Sequence, residues 1–143
     1  MTLIQKSALV KYSAQQMFNL VNDIEAYPKF LPWCAGSKII KRELDYVEAE
    51  LNIAKGGFNK SFSTRNKIDQ SDRIIVSLLD GPFSHLEGEW TFLALREDAS
   101  KISLDLEFEM SSVLANLAFG AVFNQICNTM VASFTDRAKT VYG

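Results

Sequence analysis

Three stretches of this chain alternate apolar and polar residues with a period of two. A fourth, much longer, repeats its apolar residues every three or four positions. Val47, Ala49, Leu51 and Ile53 alternate with Tyr46, Glu48, Glu50 and Asn52, and Ile102, Leu104, Leu106 and Phe108 alternate with Ser103, Asp105, Glu107 and Glu109. Phe58, Phe62 and Ile68 share one parity, opposite Asn59, Ser61, Ser63, Arg65 and Lys67. Half-buried antiparallel strands require this alternation. Turn residues separate the runs at Leu44-Asp45, Gly56-Gly57, Ser71-Asp72, Asp80-Gly81-Pro82 and Glu97-Asp98-Ala99-Ser100. The pattern predicts strands over 2–10 and near 36–43, 46–55, 58–69, 73–79, 84–96 and 100–109.

Between the first two strands, Ser13-Ala-Gln-Gln16 has the form of a capping box and predicts a short helix carrying Met17, Phe18 and Val21 on one face. Pro28 and Pro32 allow at most a second short helix between them. The long periodic stretch runs over 111–139, and from Met110 to Thr135 it holds no Asp, Glu, Lys or Arg. Ser111 or Ser112 offers an N-cap hydroxyl, and Arg137 and Lys139 suit the far end of a helix dipole. Such a helix measures roughly 40 Å at about 1.5 Å per residue. Phe119, Phe123, Ile126, Cys127, Met130 and Phe134 form its apolar stripe. Leu114, Leu117, Ala118, Ala121 and Val122 add apolar surface beyond what packing on one sheet needs. Asn116, Asn124, Gln125 and Asn128 break the run of about 20 apolar residues that a membrane span requires. Gly120 predicts a close approach or a bend in mid-helix.

Strand, two short helices, six strands and a long helix make an α+β domain with a curved seven-stranded antiparallel sheet wrapped around the C-terminal helix. A sheet curled around so long a helix leaves room for a cavity. The 143 residues fit a single domain, 1–143. A net charge of −2 argues against a general nucleic-acid binder. Lys38, Lys41, Arg42, Lys55, Lys60, Arg65 and Lys67 form either a local basic patch or ordinary solvated faces. Cys34 and Cys127 make no CxxC and have no neighbouring His, so zinc and redox chemistry are poorly served and a reducing cytosol is the expected compartment. The first residues lack the basic-then-apolar order of a signal peptide. Oligomeric state stays open.

Catalytic chemistry is hard to find. His85, the only histidine, shares its strand parity with Glu87, Glu89 and Thr91, away from Leu86, Trp90 and Phe92, and reads as a surface side chain. No GxGxxG, GxxxxGK[ST] or GxSxG occurs. The aromatic inventory says more. Trp33, Phe58, Phe62, Phe83, Trp90, Phe92, Phe108, Phe119 and Phe123 exceed what a core of this size must hold, and together they suit a pocket for a flat or long apolar ligand.

Two segments sharpen this reading. Tyr27-Pro28-Lys29-Phe30-Leu31-Pro32-Trp33-Cys34 resembles the YPxFLPWC signature of the coenzyme Q-binding proteins, within the START-like, polyketide-cyclase-like superfamily. Gly81-Pro82-Phe83 followed by Leu86, Gly88, Trp90 and Phe92 resembles the same family's second signature. The resemblance implies a helix-grip fold around a hydrophobic cavity. It implies non-enzymatic binding of ubiquinone or a similar polyprenyl lipid as a bound ligand, with no other cofactor, in support of respiration. By motif position it places Tyr27, Phe30, Leu31, Pro32 and Trp33 at a pocket mouth and Phe83, Leu86 and Trp90 on a wall. Our own reading adds Phe62 and Phe108 as lining, and Leu117, Phe119 and Phe123 as a lid from the helix. The surplus helix face then serves transient contact with the inner membrane. A bacterial branch of the family implies an alternative, binding a ribosomal subunit and blocking subunit association. An aromatase or cyclase is a third possibility, and it requires polar catalytic groups inside the cavity.

Overall fold

In a computed structural model, residues 1–70, 72–111 and 113–143 are described, with the backbone alone over 113–117. The elements are β1 (Thr2–Val10), α1 (Ala14–Asn22), a 3-10 helix (Ile24–Lys29), β2 (Cys34–Arg42), β3 (Tyr46–Lys55), β4 (Phe58–Asp69), β5 (Arg73–Asp80), β6 (Phe83–Arg96), β7 (Ala99–Met110) and α2 (Val113–Tyr142). The α+β helix-grip architecture expected from the sequence is the one observed. Strands β1, β3 and β4 have the expected bounds, and the others differ by one or two residues.

The capping box forms as its residues dictate. Ser13 Oγ accepts from the Gln16 backbone N–H at 3.0 Å, and Gln16 Oε1 accepts from the Ser13 N–H at 2.9 Å. The second short helix departs from expectation. It precedes and includes Pro28 instead of lying between the prolines, because the N–H groups of Phe30 and Leu31 both turn back to the Tyr27 carbonyl and close the chain there.

All seven strands form one antiparallel sheet in the order β1-β7-β6-β5-β4-β3-β2. Register shifts at Cys34/Gly36, Ile39/Lys41, Ser63/Thr64, Phe83/His85 and Ala94/Arg96 bend individual strands, which is how a wide sheet acquires curvature. Gly88 draws β6 and β7 together. A β-carbon there would lie 2.5 Å from Leu106 Cδ1 and 2.7 Å from the Asp105 carbonyl oxygen. Gly81, at φ 151°, lets the β5–β6 turn pass Phe62, since a β-carbon would stand 2.6 Å from the Phe62 Cβ. The glycines of the second signature are therefore explained by packing alone.

Helix α2 buries its predicted stripe: Phe119, Phe123, Ile126, Cys127 and Phe134 are buried and Met130 is half-buried. Its expected N-cap falls on Ser112, outside the described residues, and Ser111 instead donates its backbone N–H to the Pro82 carbonyl. Gly120 makes no unusually close approach, as an added β-carbon would meet Met110 Cγ at 3.5 Å, ordinary contact distance. Of the surplus apolar face, Ala118 and Ala121 are exposed, whereas Val122 is half-buried with its Cγ2 near the β3–β4 turn at Gly56. The side chains of Leu114 and Leu117 lie outside the description. Among the described residues no helix is long and apolar enough to cross a membrane.

Candidate ligand-binding site

Between the concave face of the sheet and α2 lies a cavity of about 90 Å³. Six residues expected from the sequence line it: Tyr27, Trp33, Phe62, Leu86, Trp90 and Phe123. Strands supply Phe62, Leu86 and Trp90 because inward parity fixes their direction, the 3-10 helix and the residue before β2 supply Tyr27 and Trp33, and α2 supplies Phe123 from its buried stripe. Three more stripe residues, Ile126, Cys127 and Met130, complete the helical wall. Leu51, Val76, Leu104 and Leu106 close the sheet side, with Thr64 and Asn66 as its polar members. None of these nine is among the site residues expected from the sequence. The available signal was strand parity: Thr64 and Asn66 share Phe62's side of β4, and a polar residue on an inward parity is informative.

Other expected site residues sit elsewhere. Phe30 packs edge-on against Tyr27 and Phe134 and carries the Arg137 guanidinium over its ring at 5.0 Å, so it buttresses the wall from behind. Leu31 is 1% exposed and plugs the core beneath the 3-10 helix, while Pro32 is exposed. Phe83 and Phe108 join Phe62 and Phe123 in a cluster of edge-to-face rings that seals one end of the cavity. Phe119 extends that cluster to Phe58, at 5.5 Å between ring centres. These residues support the cavity without lining it. The predicted lid residue Leu117 lies outside the described side chains.

The polar groups of the wall are few and mostly occupied. The Tyr27 hydroxyl donates to the Val21 carbonyl. Thr64 Oγ1 donates to Asn66 Oδ1 at 2.8 Å. Trp33 Nε1 is buried and has no partner among the described residues. Burial pushes the Tyr27 phenol and the Cys127 thiol well above their ordinary pKa values, so both stay protonated at neutral pH. The lining contains no Asp, Glu, His, Lys or Arg among the described residues.

A larger depression of about 450 Å³ lies on the sheet's outer face, bordered by Glu87, Glu89, Asp105 and Glu107. It is rimmed by carboxylates, and for an apolar ligand the apolar cavity beneath α2 is the better site despite its smaller volume. His85 belongs to the outer face, as its parity predicts, with Nε2 3.0 Å from Glu107 Oε1. Donor atoms of His85, Glu87 and Glu107 all lie within 4.8 Å of one another there, remote from the cavity lining.

Comparison with known proteins agrees with this architecture. The fold resembles that of the ZhuI aromatase/cyclase from Streptomyces sp. R1128, with a TM-score of 0.85 over 96% of this chain and 93% of that one, at 16% identity. In sequence the chain is 47% identical over 143 residues to a Vibrio cholerae protein named ribosome association toxin RatA, covering 100% of this chain and 99% of the relative. It is 27% identical over 142 residues to the mitochondrial coenzyme Q-binding protein COQ10 homolog B of Xenopus laevis, covering 96% of this chain and 58% of that protein. A family model described as polyketide cyclase / dehydrase and lipid transport matches residues 10–135. Curved sheet, gripped helix, apolar cavity and sequence thus converge, and the chain belongs to the polyketide cyclase / dehydrase and lipid transport family.

Proposed function

We propose that residues 1–143 form one lipid-binding domain that holds a polyprenyl quinone, ubiquinone or a close relative, in the cavity between sheet and α2 without transforming it. The observation that carries this reading is the wall itself, aromatic and aliphatic with a few neutral polar groups and no charged side chain among the described residues. Such a wall favours a neutral apolar ligand, whose burial contributes about 25 cal/mol per Å². It serves acid–base catalysis badly, since the phenol of Tyr27 and the thiol of Cys127 are both held protonated by burial. Among the described lining residues no carboxylate or imidazole is present to act as the proton acceptor that an aromatase or cyclase role would need. The cavity of about 90 Å³ is smaller than the roughly 150 Å³ that holds benzene in an engineered core, so loading requires α2 to ride outward and the flexible Met130 to turn aside. Transient contact with the inner-membrane surface provides the setting for that opening. Organic extraction of protein purified from a quinone-replete host, followed by mass spectrometry, tests the reading. One quinone per chain is expected, and an empty protein overturns it.

A second reading is association with a ribosomal subunit that blocks subunit joining, and the 47% identity to a protein named ribosome association toxin favours it. It is compatible with the first, because the cavity is interior and a ribosome meets the exterior. Part of the basic patch is already neutralised, since Lys41 lies 3.8 Å from Glu43, Arg42 3.5 Å from Glu25 and Arg65 2.6 Å from Glu48. Co-sedimentation with ribosomal subunits at physiological salt tests this reading, with Lys38, Lys41 and Arg42 reversed to Glu as the control. Absence of the protein from the ribosomal fractions rejects it.

A further inference from the structure

Trp33 is 4% exposed, lines the cavity, and holds its indole Nε1 buried without a hydrogen-bond partner among the described residues. A buried N–H that meets no acceptor is a standing cost in the empty protein. Of the other polar side chains of the wall, Tyr27 donates to the Val21 carbonyl and Thr64 to Asn66 Oδ1, the Asn66 amide nitrogen belongs to a half-exposed residue, and the Cys127 thiol is only a weak donor. Asn22 Oδ1, Ser37 Oγ and Arg73 Nε are also buried and unpartnered, but none of those residues lines the cavity. An indole N–H donates and cannot accept. Its complement is therefore an oxygen acceptor on the ligand. A carboxylate or phosphate would meet that requirement only by entering a wall that carries no Lys or Arg among the described residues, where an unpaired anion is heavily penalised.

We propose that Trp33 Nε1–H is the anchoring donor of the cavity, selecting a neutral ring with a carbonyl oxygen and fixing that carbonyl against the start of β2. The inference rests on the lipid-binding reading and deepens it, because it specifies the ligand's head and how the head is held. The ring sits at Trp33, among Tyr27, Trp90 and Leu86, and the apolar tail follows the aliphatic wall. Hydrocarbons of equal length gain the burial but not the bond, and fatty-acid anions gain the bond only by burying an unpaired charge at neutral pH.

Three probes separate the outcomes: a decyl-tailed dimethoxy-benzoquinone, decylbenzene and decanoate, each titrated into the wild-type protein and into Trp33→Phe. The quinone is expected to bind the wild type about tenfold more tightly than Trp33→Phe, the worth of one buried hydrogen bond, with decylbenzene unchanged and decanoate unbound. The indole N–H resonance of Trp33 provides a readout that needs no folded variant at this position. The chain has two tryptophans, so Trp90→Phe assigns the signal, which should move downfield on adding quinone but not decylbenzene. Equal quinone affinity in wild type and variant, or an unmoved resonance on saturation, overturns the anchor while leaving the lipid-binding reading intact. Decanoate binding as tightly as the quinone also overturns it, since the head would then not be selected for neutrality. Failure of all three probes to bind overturns the lipid-binding reading and the anchor with it.

Discussion

The hydroxyl of Tyr27 donates to the carbonyl of Val21, which ties one wall of the cavity to the last turn of α1. The same ring lies edge-on to Phe134 of α2 at 5.4 Å between centres. One side chain thus joins three elements. The 3-10 helix, which in sequence shows only as a short helix limited by prolines, is the fixed point between the first helix and the last.

Tyr27→Phe keeps the ring and deletes the bond, leaving the Val21 carbonyl without its donor. The expected loss is about 1–2 kcal/mol. At about 2–4 °C per kcal/mol for a chain of this size, calorimetry should record a melting point lower by several degrees. A variant that melts with the wild type would mean that the bond contributes nothing.

Glycine positions offer a contrast within one sheet. At Gly88 an added β-carbon meets the Asp105 carbonyl oxygen at 2.7 Å, backbone that cannot turn aside, whereas at Gly36 nothing lies within 4 Å. Gly88→Ala should cost about 1–3 kcal/mol by overpacking. Gly36→Ala should be neutral or slightly stabilising. Urea midpoints of the two variants, measured side by side, check the difference; equal midpoints would contradict the close β6–β7 approach.

Alkaline pH should weaken the fold in a defined direction. Burial raises the Cys127 thiol and the Tyr27 phenol in the folded state. Unfolded, they ionise near about 8.5 and 10. The folded chain then holds protons that the unfolded chain releases, so this stability is complete below about pH 8.5 and is lost as pH rises toward the folded values. Each group contributes a slope of at most about 1.4 kcal/mol per pH unit. Denaturation midpoints from pH 8 to 11 should fall, less steeply in Cys127→Ala, and parallel slopes would remove Cys127 from the account.

Filling the cavity should compete with its ligand. Met130→Trp introduces a rigid double ring into a space of about 90 Å³. Lipid recovered by extraction should drop severalfold while the far-ultraviolet circular dichroism stays that of the wild type. Undiminished lipid content would place the ligand elsewhere.

The exposed helix face has its own test. Ala118 and Ala121 are solvent-exposed, so changing both to Asp should leave the melting point nearly unaltered and reduce flotation with anionic liposomes. Unchanged flotation would dissociate α2 from membrane contact.

Much of the architecture was legible in the chain because two periods, two and about three and a half, coincide with the burial later observed. Val47, Ala49 and Ile53 are buried on one side of β3 while their polar neighbours face out, and the stripe from Phe119 to Phe134 is buried on α2. The cavity was less legible. Aromatic residues attract attention by size, yet Phe83 and Phe108 pack on each other and Phe119 packs on Phe58 and Phe123, and smaller residues such as Leu51, Val76 and Cys127 help form the wall. Phe30, Leu31 and Pro32, which motif position places at a pocket mouth, are not among the cavity's lining residues, and a signature can be set by what holds a turn in place as readily as by what touches a ligand. Periodicity reports which way a side chain points; it does not report how far the facing surface stands away.

The pairing of β1 with β7 has a consequence in time. Every other neighbouring pair in the sheet is adjacent in the chain, but Thr2 waits for Phe108 and Val10 for Ser100. A ribosome adding about 5–20 residues per second spends several seconds between making the two strands. Throughout that interval the first strand has no partner in the sheet, and the β7 edge appears only after the five intervening strands have been made. Closure is therefore a late, long-range event, and the nascent chain passes through a stage in which the meander can assemble without its first strand.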